Sequence, residues 1–245
     1  MLISPYFLFA QDNDTIEKKE PAAVNTDPGD VNDSANAAKY KTVDDFILKM
    51  KRRNKPIPVL AKEITAPFNT EEEKVRALFI WMTNNIAYDC VAYHSKSAPA
   101  GNFSYKTQEE LIVKLDKYYY KEAMLVLRNK KAVCEGYAVL FRELCKSAGL
   151  NCQLAEGRAS ENRDKIKKLR NRKNFNTNHT WNKVQVNGKW YYVDATWASG
   201  YCDKPVKHFY KKFNPYYFLR PLDELYETHA ENYKFTERRN NPTAE

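Results

Sequence analysis

The Asn-Gly dipeptide at residues 187–188 restricts the fold more than any other feature of this sequence. It lies between two runs rich in β-branched and aromatic residues, 180–186 and 189–196. Asn-Gly as a two-residue connection is the strongest short-range signal for a β-hairpin. The sequence therefore predicts two antiparallel strands over these runs, with their register set by the turn.

The register of this hairpin brings a histidine and an aspartate together. Counting outward from the turn places His179 opposite Thr196 and Trp181 opposite Asp194. Because side chains alternate between the two faces of a strand, these four residues share one face. Diagonal neighbours on one face lie close enough for the Asp194 carboxylate to hold the His179 imidazole by one ring nitrogen. A bulge of one residue in either strand would break this relation.

Helical periodicity dominates the chain before the hairpin. A first helix is expected from Tyr40, where apolar residues recur at the spacing of one helix face. Thr70 and Thr107 are each followed three residues later by Glu, which is the capping-box pattern that opens a helix. A further helix is predicted over residues 119–128. A strand led by Cys152 then follows the last helix.

The helices precede the strands, and this order predicts the α+β fold class. We expect one domain over residues 40–235. Residues 11–39 hold almost no large apolar side chain and are predicted to be a disordered linker. The polar residues 236–245 are predicted to be a flexible tail.

The start of the chain has the character of an export signal. Residues 2–10 are mostly apolar and a long polar stretch begins at Gln11, as at the end of a signal-peptide apolar region, so residues 1–10 are predicted to be a signal-peptide remnant. The basic segment that opens a signal peptide is missing, so a short apolar leader without an export role is the alternative. We expect a secreted, periplasmic or cell-surface protein. No stretch approaches the length of about 18 apolar residues that a transmembrane helix needs.

The positive charge is concentrated in one segment. The chain has a formal net charge of +9, and residues 158–173 hold eight Lys or Arg against Glu161 and Asp164. A solvated loop is the first interpretation, and attraction of an acidic peptide or an anionic cell-surface polymer is the second. Aromatic residues do not alternate with these charges, so nucleic-acid binding by base stacking is not expected.

The chain has five cysteines and no Cys-x-x-Cys pair, so neither a zinc site nor a redox motif is indicated. One reactive thiol together with up to two disulfides fits an exported protein, and so do four buried thiols. The sequence leaves this choice open for four of them: Cys90, Cys145, Cys152 and Cys202.

Cys134 lies where a thiolate would be favoured. Apolar residues recur at helical spacing from Cys134 onward, and Gly149 is the residue type preferred just past a helix end. Unpaired N–H groups and the dipole at a helix start favour an anion, and the thiolate is the attacking form of cysteine. Gly136 permits close backbone approach. An oxyanion could be met by the N–H groups of the helix start, with a second donor left unassigned.

Several motifs together resemble the transglutaminase-like superfamily, which lies within the papain-like fold. The Val133–Ala138 segment is similar to the nucleophile helix of that superfamily. Residues 179–182 and 190–197 resemble its His strand and its Asp strand, in the expected order. Residues 86–89 are similar to the segment that precedes the site. Tyr217-Phe218-Leu219 and Thr228-His229 resemble the C-terminal extension of the kyphoscoliosis-peptidase-like branch.

The resemblance implies a papain/transglutaminase-like fold with the nucleophile helix packed against an antiparallel sheet. It implies a catalytic triad in which Cys134 is the nucleophile, His179 the base and then acid, and Asp194 the orienting carboxylate. The reaction would be acyl transfer on a peptide or protein amide, of the protease or amidase type. Transglutaminase-type cross-linking and an inactive binding module are the alternatives. No metal or organic cofactor is implied, and the expected partner is a protein or peptide substrate.

The remaining candidates receive structural interpretations. Glu135 is read as an acid of the first helical turn, favoured by the dipole. Three histidines lack a partner at any periodic spacing and are placed outside the site: His94, His208 and His229. Three tryptophans are read first as packing residues of the sheet: Trp181, Trp190 and Trp197.

Overall fold

The computed structural model of the chain describes residues 2–3, 33–51, 55–95, 103–169, 172, 175–221 and 223–241. The helices are α1 (Asp33–Lys49), α2 (Ile57–Thr65), α3 (Glu71–Asn85), α4 (Cys90–His94), α5 (Gln108–Asn129), α6 (Cys134–Ser147), α7 (Arg163–Leu169), α8 (Ala195–Ser199) and α9 (Tyr233–Asn240). Short 3₁₀ turns cover Pro215–Tyr217 and Leu225–Glu227.

The main sheet is antiparallel and has five strands. The strands of the chain are β1 (Leu2–Ile3), β2 (Ala87–Tyr88), β3 (Phe103–Ser104), β4 (Lys131–Ala132), β5 (Cys152–Ala159), β6 (His179–Val186), β7 (Lys189–Val193), β8 (Gly200–Cys202), β9 (Phe209–Lys211), β10 (Arg220–Pro221) and β11 (His229–Glu231). The order in the sheet is β10-β7-β6-β5-β11, and small ladders join β1 to β3, β2 to β4 and β8 to β9. The predicted α+β class is confirmed.

The hairpin forms in the predicted register. Val186 pairs with Lys189, and the ladder continues to Asn182 opposite Val193. The second strand is shorter than predicted, because β7 ends at Val193 and Thr196 lies in helix α8. The cause is Asp194 itself, whose carboxylate accepts hydrogen bonds from backbone N–H groups of the next turn and caps that helix.

The capping boxes begin helices as predicted. Thr70 and Glu73 exchange both hydrogen bonds at the start of α3, and the Thr107 hydroxyl accepts from the backbone N–H of residue 110 at the start of α5. The helix predicted from Thr107 and the one predicted over residues 119–128 are a single helix, α5. Neither Gly nor Pro separates them, and one continuous face is buried through Leu111, Leu115 and Tyr119.

Helices lie across both ends of the range 40–235 that was predicted for the domain. Helix α1 begins at Asp33, inside the range 11–39 that was predicted to be linker, whose first 22 residues lie outside the described part. At the other end, residues 236–240 of the predicted tail belong to α9. Asn240 hydrogen-bonds the backbone N–H and C=O of Leu154, in the part of β5 that β11 does not pair with. A search for apolar residues at regular spacing cannot find this contact, because a polar side chain makes it.

Helix α6 packs between helix α5 and strand β6, as the nucleophile helix was expected to pack against the sheet. The Asn182 side-chain amide of β6 donates to the Ala138 carbonyl of α6 at 3.0 Å. A Cβ added at Gly136 would lie 2.6 Å from the Cβ of Ala132, so glycine permits this close approach. The helix ends at Ser147, and Gly149 follows with the positive φ of 75° that its type allows.

The predicted signal-peptide remnant lies outside the described residues except for Leu2–Ile3, which pairs with Phe103–Ser104. Among the helices that the structure describes, none is long and apolar enough to cross a membrane.

Candidate active site

Asp194 is the centre of the candidate site. Its Oδ1 accepts hydrogen bonds from the backbone N–H groups of Thr196 at 2.9 Å and Trp197 at 3.0 Å. Its Oδ2 lies 2.7 Å from Nε2 of His179 and 3.1 Å from Nε2 of His229. Burial raises the pKa of Asp194, but His179 and then His229 outweigh burial and hold this pKa well below its usual range. The residue is therefore a buried, fully hydrogen-bonded carboxylate.

His179 connects Asp194 to the candidate nucleophile. It is the first residue of β6 and is buried. Burial lowers its pKa, but the Asp194 carboxylate and then the nearby Cys134 thiol raise the pKa of His179 to about 10. Because Nε2 faces Asp194, Nδ1 is the ring nitrogen left for an interaction with the sulfur. The predicted pairing of His179 with Asp194 is present, and Cys134 is near enough to the same ring to affect its pKa.

Cys134 is the first residue of helix α6, as the sequence predicted. Its side chain is buried, with 6% of the residue exposed. Strand β4 ends two residues earlier at Ala132 and pairs with Tyr88 of β2, which sets the direction from which the chain enters the helix. Of the three predicted site residues, His179 and Asp194 are joined directly by a hydrogen bond, and Cys134 lies near enough to the His179 ring to affect its pKa.

His229 corrects the sequence-based interpretation, which placed it outside the site and without an acidic partner. It is fully buried, and its Nδ1 lies 2.8 Å from the Thr228 hydroxyl. Burial lowers the pKa of His229 despite the opposing effect of Asp194, so the ring is neutral. A neutral ring facing a carboxylate donates from Nε2, and its Nδ1 then accepts from Thr228.

Strand β11 explains why sequence reasoning missed His229. No local periodicity relates Asp194 to a residue 35 positions later, and the pairing of β11 with β5 supplies the link. Gly157 of β5 makes the pairing possible, because a Cβ there would lie 2.0 Å from the Ala230 carbonyl oxygen. The one sequence feature that pointed to His229 was the resemblance of Thr228-His229 to the C-terminal extension of the kyphoscoliosis-peptidase-like branch.

The two other histidines lie outside the site, as predicted, although both have partners. The exposed His208 ring lies 2.7 Å from Oδ2 of Asp203, a partner five positions earlier that no helix or strand period would place. Nε2 of His94 lies 3.0 Å from the carbonyl oxygens of Pro205 and Val206.

Aromatic rings enclose the carboxylate and the two imidazoles. The Trp197 ring centroid lies 4.8 Å from that of His229 and 5.7 Å from that of His179. Trp181 stacks on His179 at 5.9 Å, and Tyr217 contacts Trp197 edge to face. Trp181 and Trp197 thus pack within the fold, as predicted. The rings also exclude water from the site, and this lower local dielectric strengthens the ion pair between His179 and Asp194.

A second ionic network links the residues that follow Cys134 and His179 in the chain. Glu135 accepts hydrogen bonds from Arg239 at 2.8 Å and from the Thr180 hydroxyl at 3.3 Å. Arg239 also pairs with Glu156 at 2.7 Å. Because Glu135 follows Cys134 in the chain and Thr180 follows His179, the network holds the two candidate catalytic segments together. Glu135 thus has a tertiary role beyond that of a first-turn acid.

The ligand atoms of His179, Asp194 and His229 lie within 4.8 Å of one another, which is also compatible with a metal site. In the structure both Nε2 atoms face the same carboxylate oxygen at hydrogen-bonding distance. A metal ion would need the lone pairs of those nitrogens. Hydrogen bonding therefore accounts for this cluster as it stands.

Known proteins resemble this chain over most of the domain. Kyphoscoliosis peptidase of Homo sapiens is 30% identical over 162 residues, which cover 65% of this chain and 21% of that protein. The Mus musculus kyphoscoliosis peptidase matches to the same extent, and Hillarin of Drosophila melanogaster is 25% identical over 163 residues, or 65% of this chain and 17% of that protein. This chain thus spans about a fifth of the length of these relatives.

A solved structure described as a TGase aligns at 19% identity with a TM-score of 0.36, over 65% of this chain and 32% of that chain. The family model described as "Transglutaminase-like superfamily" matches residues 58–195, which are more than half of the chain. The matched segment includes Cys134, His179 and Asp194. The protein belongs to the transglutaminase-like superfamily.

Proposed function

We propose that this protein catalyses cysteine-dependent acyl transfer on peptide or protein amides, with Cys134, His179 and Asp194 as its catalytic triad. The observation that carries the proposal is the 2.7 Å hydrogen bond between His179 and Asp194, on a ring near enough to the Cys134 side chain for this thiol to help raise the pKa of His179. An imidazolium beside a sulfur favours the thiolate, which is the nucleophile in such reactions.

The proposed reaction has two half-steps. The Cys134 thiolate attacks the amide carbonyl, and imidazolium His179 gives its proton to the leaving amine, which leaves a thioester on the sulfur. Neutral His179 then takes a proton from the acceptor, whose attack on the thioester releases the acyl group. The first turn of α6 offers backbone N–H groups without intrahelical partners to the oxyanion of each step.

Water is the proposed acceptor, which makes the reaction hydrolysis. The support is the similarity to proteins named kyphoscoliosis peptidase, within a superfamily whose members are usually cysteine peptidases or acyltransferases. An amine acceptor would give cross-linking and remains the alternative. A binding module without activity is the third candidate, since some members of the superfamily are inactive.

A protein or peptide with acidic groups is the proposed substrate class. Helix α7, part of the basic segment, packs beside β11, the strand that carries His229, so positive potential lies near the site.

We further propose a secreted, periplasmic or cell-surface location because of the apolar residues 2–10. Recovery of the protein in such a fraction without residues 1–10 is the measurement that checks the location.

The test of the proposed function is one assay with two acceptors. The purified protein is incubated with a peptide library and a primary amine, and the products are identified by mass spectrometry. Cleaved peptides show a protease, side-chain acids at Gln or Asn show a deamidase, and amine adducts show a cross-linker. Absence of all three products would contradict the proposed acyl transfer and favour the binding module.

His229→Phe is expected to lower kcat by about 10–100-fold with little change in KM. The variant removes one hydrogen bond to a buried carboxylate, which is worth about 1.5–3 kcal/mol. Asp194 then holds the His179 imidazolium less firmly. His229 touches neither the reacting atoms nor the substrate in this mechanism, so it is a positioning residue. Rates measured over pH with a cleaved peptide check the prediction.

The matched variant is His229→Gln, whose amide can still donate to Asp194. It is expected to retain more of kcat than the Phe variant. Equal losses in both variants, with unchanged pH profiles, would show that His229 serves packing alone.

The His179–Asp194 pair is expected to stabilise the fold over a defined pH range. The pKa of Asp194 is lowered, so its contribution is present above its unfolded value of 3.8 and lost as the pH falls. The pKa of His179 is raised, so its contribution is full below its unfolded value of 6.5 and lost as the pH rises through about 10. The stabilisation is therefore greatest between these two unfolded values. Urea unfolding of wild type and His179→Gln from below pH 3.8 to about pH 10 checks it, and a difference that stays constant over this wider span would contradict it.

A further inference from the structure

Two cysteines outside the triad lie side by side. Cys90 is the first residue of α4 and Cys202 is the last residue of β8. Their sulfur atoms are 3.7 Å apart, although the residues are separated by 112 positions in the chain. Both are buried free thiols. A long-range contact of this kind is set by the fold rather than by local sequence.

The surroundings of the pair are apolar. Val206 completes a small buried cluster with the two cysteines, and three partly buried aromatic residues pack around it: Tyr88, Tyr93 and Phe209. Burial, and then the hydrogen bond with Cys90, raise the pKa of Cys202 to about 12. The Cys202 thiol is therefore a poor nucleophile in the folded protein, and because both sulfurs are buried, a bond between them would form while the chain folds and would then be protected.

The position of the pair relates it to the candidate site. Cys90 follows β2, whose partner β4 ends two residues before Cys134. Cys202 closes the segment that begins with helix α8, which Asp194 caps. A bond between the two sulfurs would therefore close a loop that contains the whole candidate triad. Tyr88 connects the two regions, because it packs on the thiol pair and the Cys134 sulfur helps to raise its pKa after burial.

We propose that Cys90 and Cys202 form a disulfide bond when the protein folds in the presence of a low-molecular-weight disulfide. The two protein thiols lose two protons and two electrons and form one S–S bond. The small disulfide accepts both and is released as two molecules of its thiol. The bond braces the two segments that flank the triad, and it does not depend on the proposed catalytic activity.

The other proximate pair provides a comparison. Cys145 of α6 and Cys152 of β5 also lie near each other, since Cys152 adds to burial in raising the pKa of Cys145, but only six residues separate them. A cross-link stabilises more when it closes a longer loop of the unfolded chain. A bond between Cys90 and Cys202 is therefore expected to raise the melting temperature more than a bond between Cys145 and Cys152.

The test uses the full chain with Cys134→Ala, so that the reactive thiol cannot interfere and the outcome is separate from activity. The reduced, unfolded protein is refolded with either oxidised or reduced glutathione, alkylated and digested for mass spectrometry. The expected product of the oxidised sample is a linked pair of peptides containing Cys90 and Cys202. Its melting temperature should exceed that of the reduced sample by about 5–15 °C.

Matched variants identify the source of the shift. Adding Cys90→Ser or Cys202→Ser should abolish the difference between oxidised and reduced samples, while adding Cys152→Ser should leave it. Each comparison is made within one variant, so any general loss of stability cancels. Alkylation of both Cys90 and Cys202 after oxidative refolding would overturn the proposal, and so would a bond that joins either of them to another cysteine.

Discussion

Cys134→Ala is expected to lower the rate of amide cleavage by about 10⁴-fold or more while the protein stays folded. Removal of the nucleophile from a triad abolishes the covalent pathway and leaves only the contribution of binding and the oxyanion site. The side chain is buried but small, so the melting temperature should change by no more than about 3 °C. The peptide-library assay and a thermal unfolding curve measure the two effects.

A second cysteine and a labelling experiment control this prediction. Cys152→Ala removes a thiol from the far end of β5, opposite Val184, and should leave the rate unchanged. Brief iodoacetamide treatment near pH 6 should alkylate Cys134 first, because His179 can stabilise the thiolate, and His179→Gln should slow the labelling. Retained activity in Cys134→Ala would show that another residue is the nucleophile. Labelling no faster than that of an ordinary thiol would favour the binding module.

The local features of the site could be predicted from the sequence. Asn187-Gly188 determines a two-residue turn, and side-chain alternation then places His179 and Asp194 on one face without knowledge of the rest of the chain. The start of α6 at Cys134 follows in the same way from helical spacing and from Gly149. These predictions rest on interactions between residues near in sequence or paired across one turn.

The parts that sequence reasoning missed depend on contacts between distant segments. His229 reaches Asp194 only because β11 joins the sheet beside β5. Arg239 reaches Glu135 only because polar side chains of α9 satisfy the open edge of β5, in a segment that looked like a mobile tail. The early end of β7 had another cause, since one carboxylate both caps α8 and holds the histidines. A pattern based on hydropathy contains none of this information.

Asp194→Asn is expected to lower kcat by about 10⁴-fold with an unchanged KM. The amide oxygen can still accept from the backbone N–H groups of Thr196 and Trp197, so the cap of α8 survives. In place of Oδ2 an NH₂ group then faces the Nε2 atoms of His179 and His229. The new NH₂ group and a protonated Nε2 are both donors and cannot hydrogen-bond to each other. Neutral His179 must therefore carry its proton on Nδ1, and the nitrogen that faces the sulfur can no longer act as a base.

The fold should tolerate the Asn substitution better than the chemistry does. Loss of the charged hydrogen bonds lowers the free energy of unfolding by about 1.5–3 kcal/mol, which urea titration can measure. Asp194→Ala also removes the cap of α8 and should unfold at a lower urea concentration than the Asn variant. A rate for Asp194→Asn within tenfold of wild type would show that the carboxylate does not orient His179 during the reaction. Its four hydrogen bonds would then serve the architecture of the sheet alone.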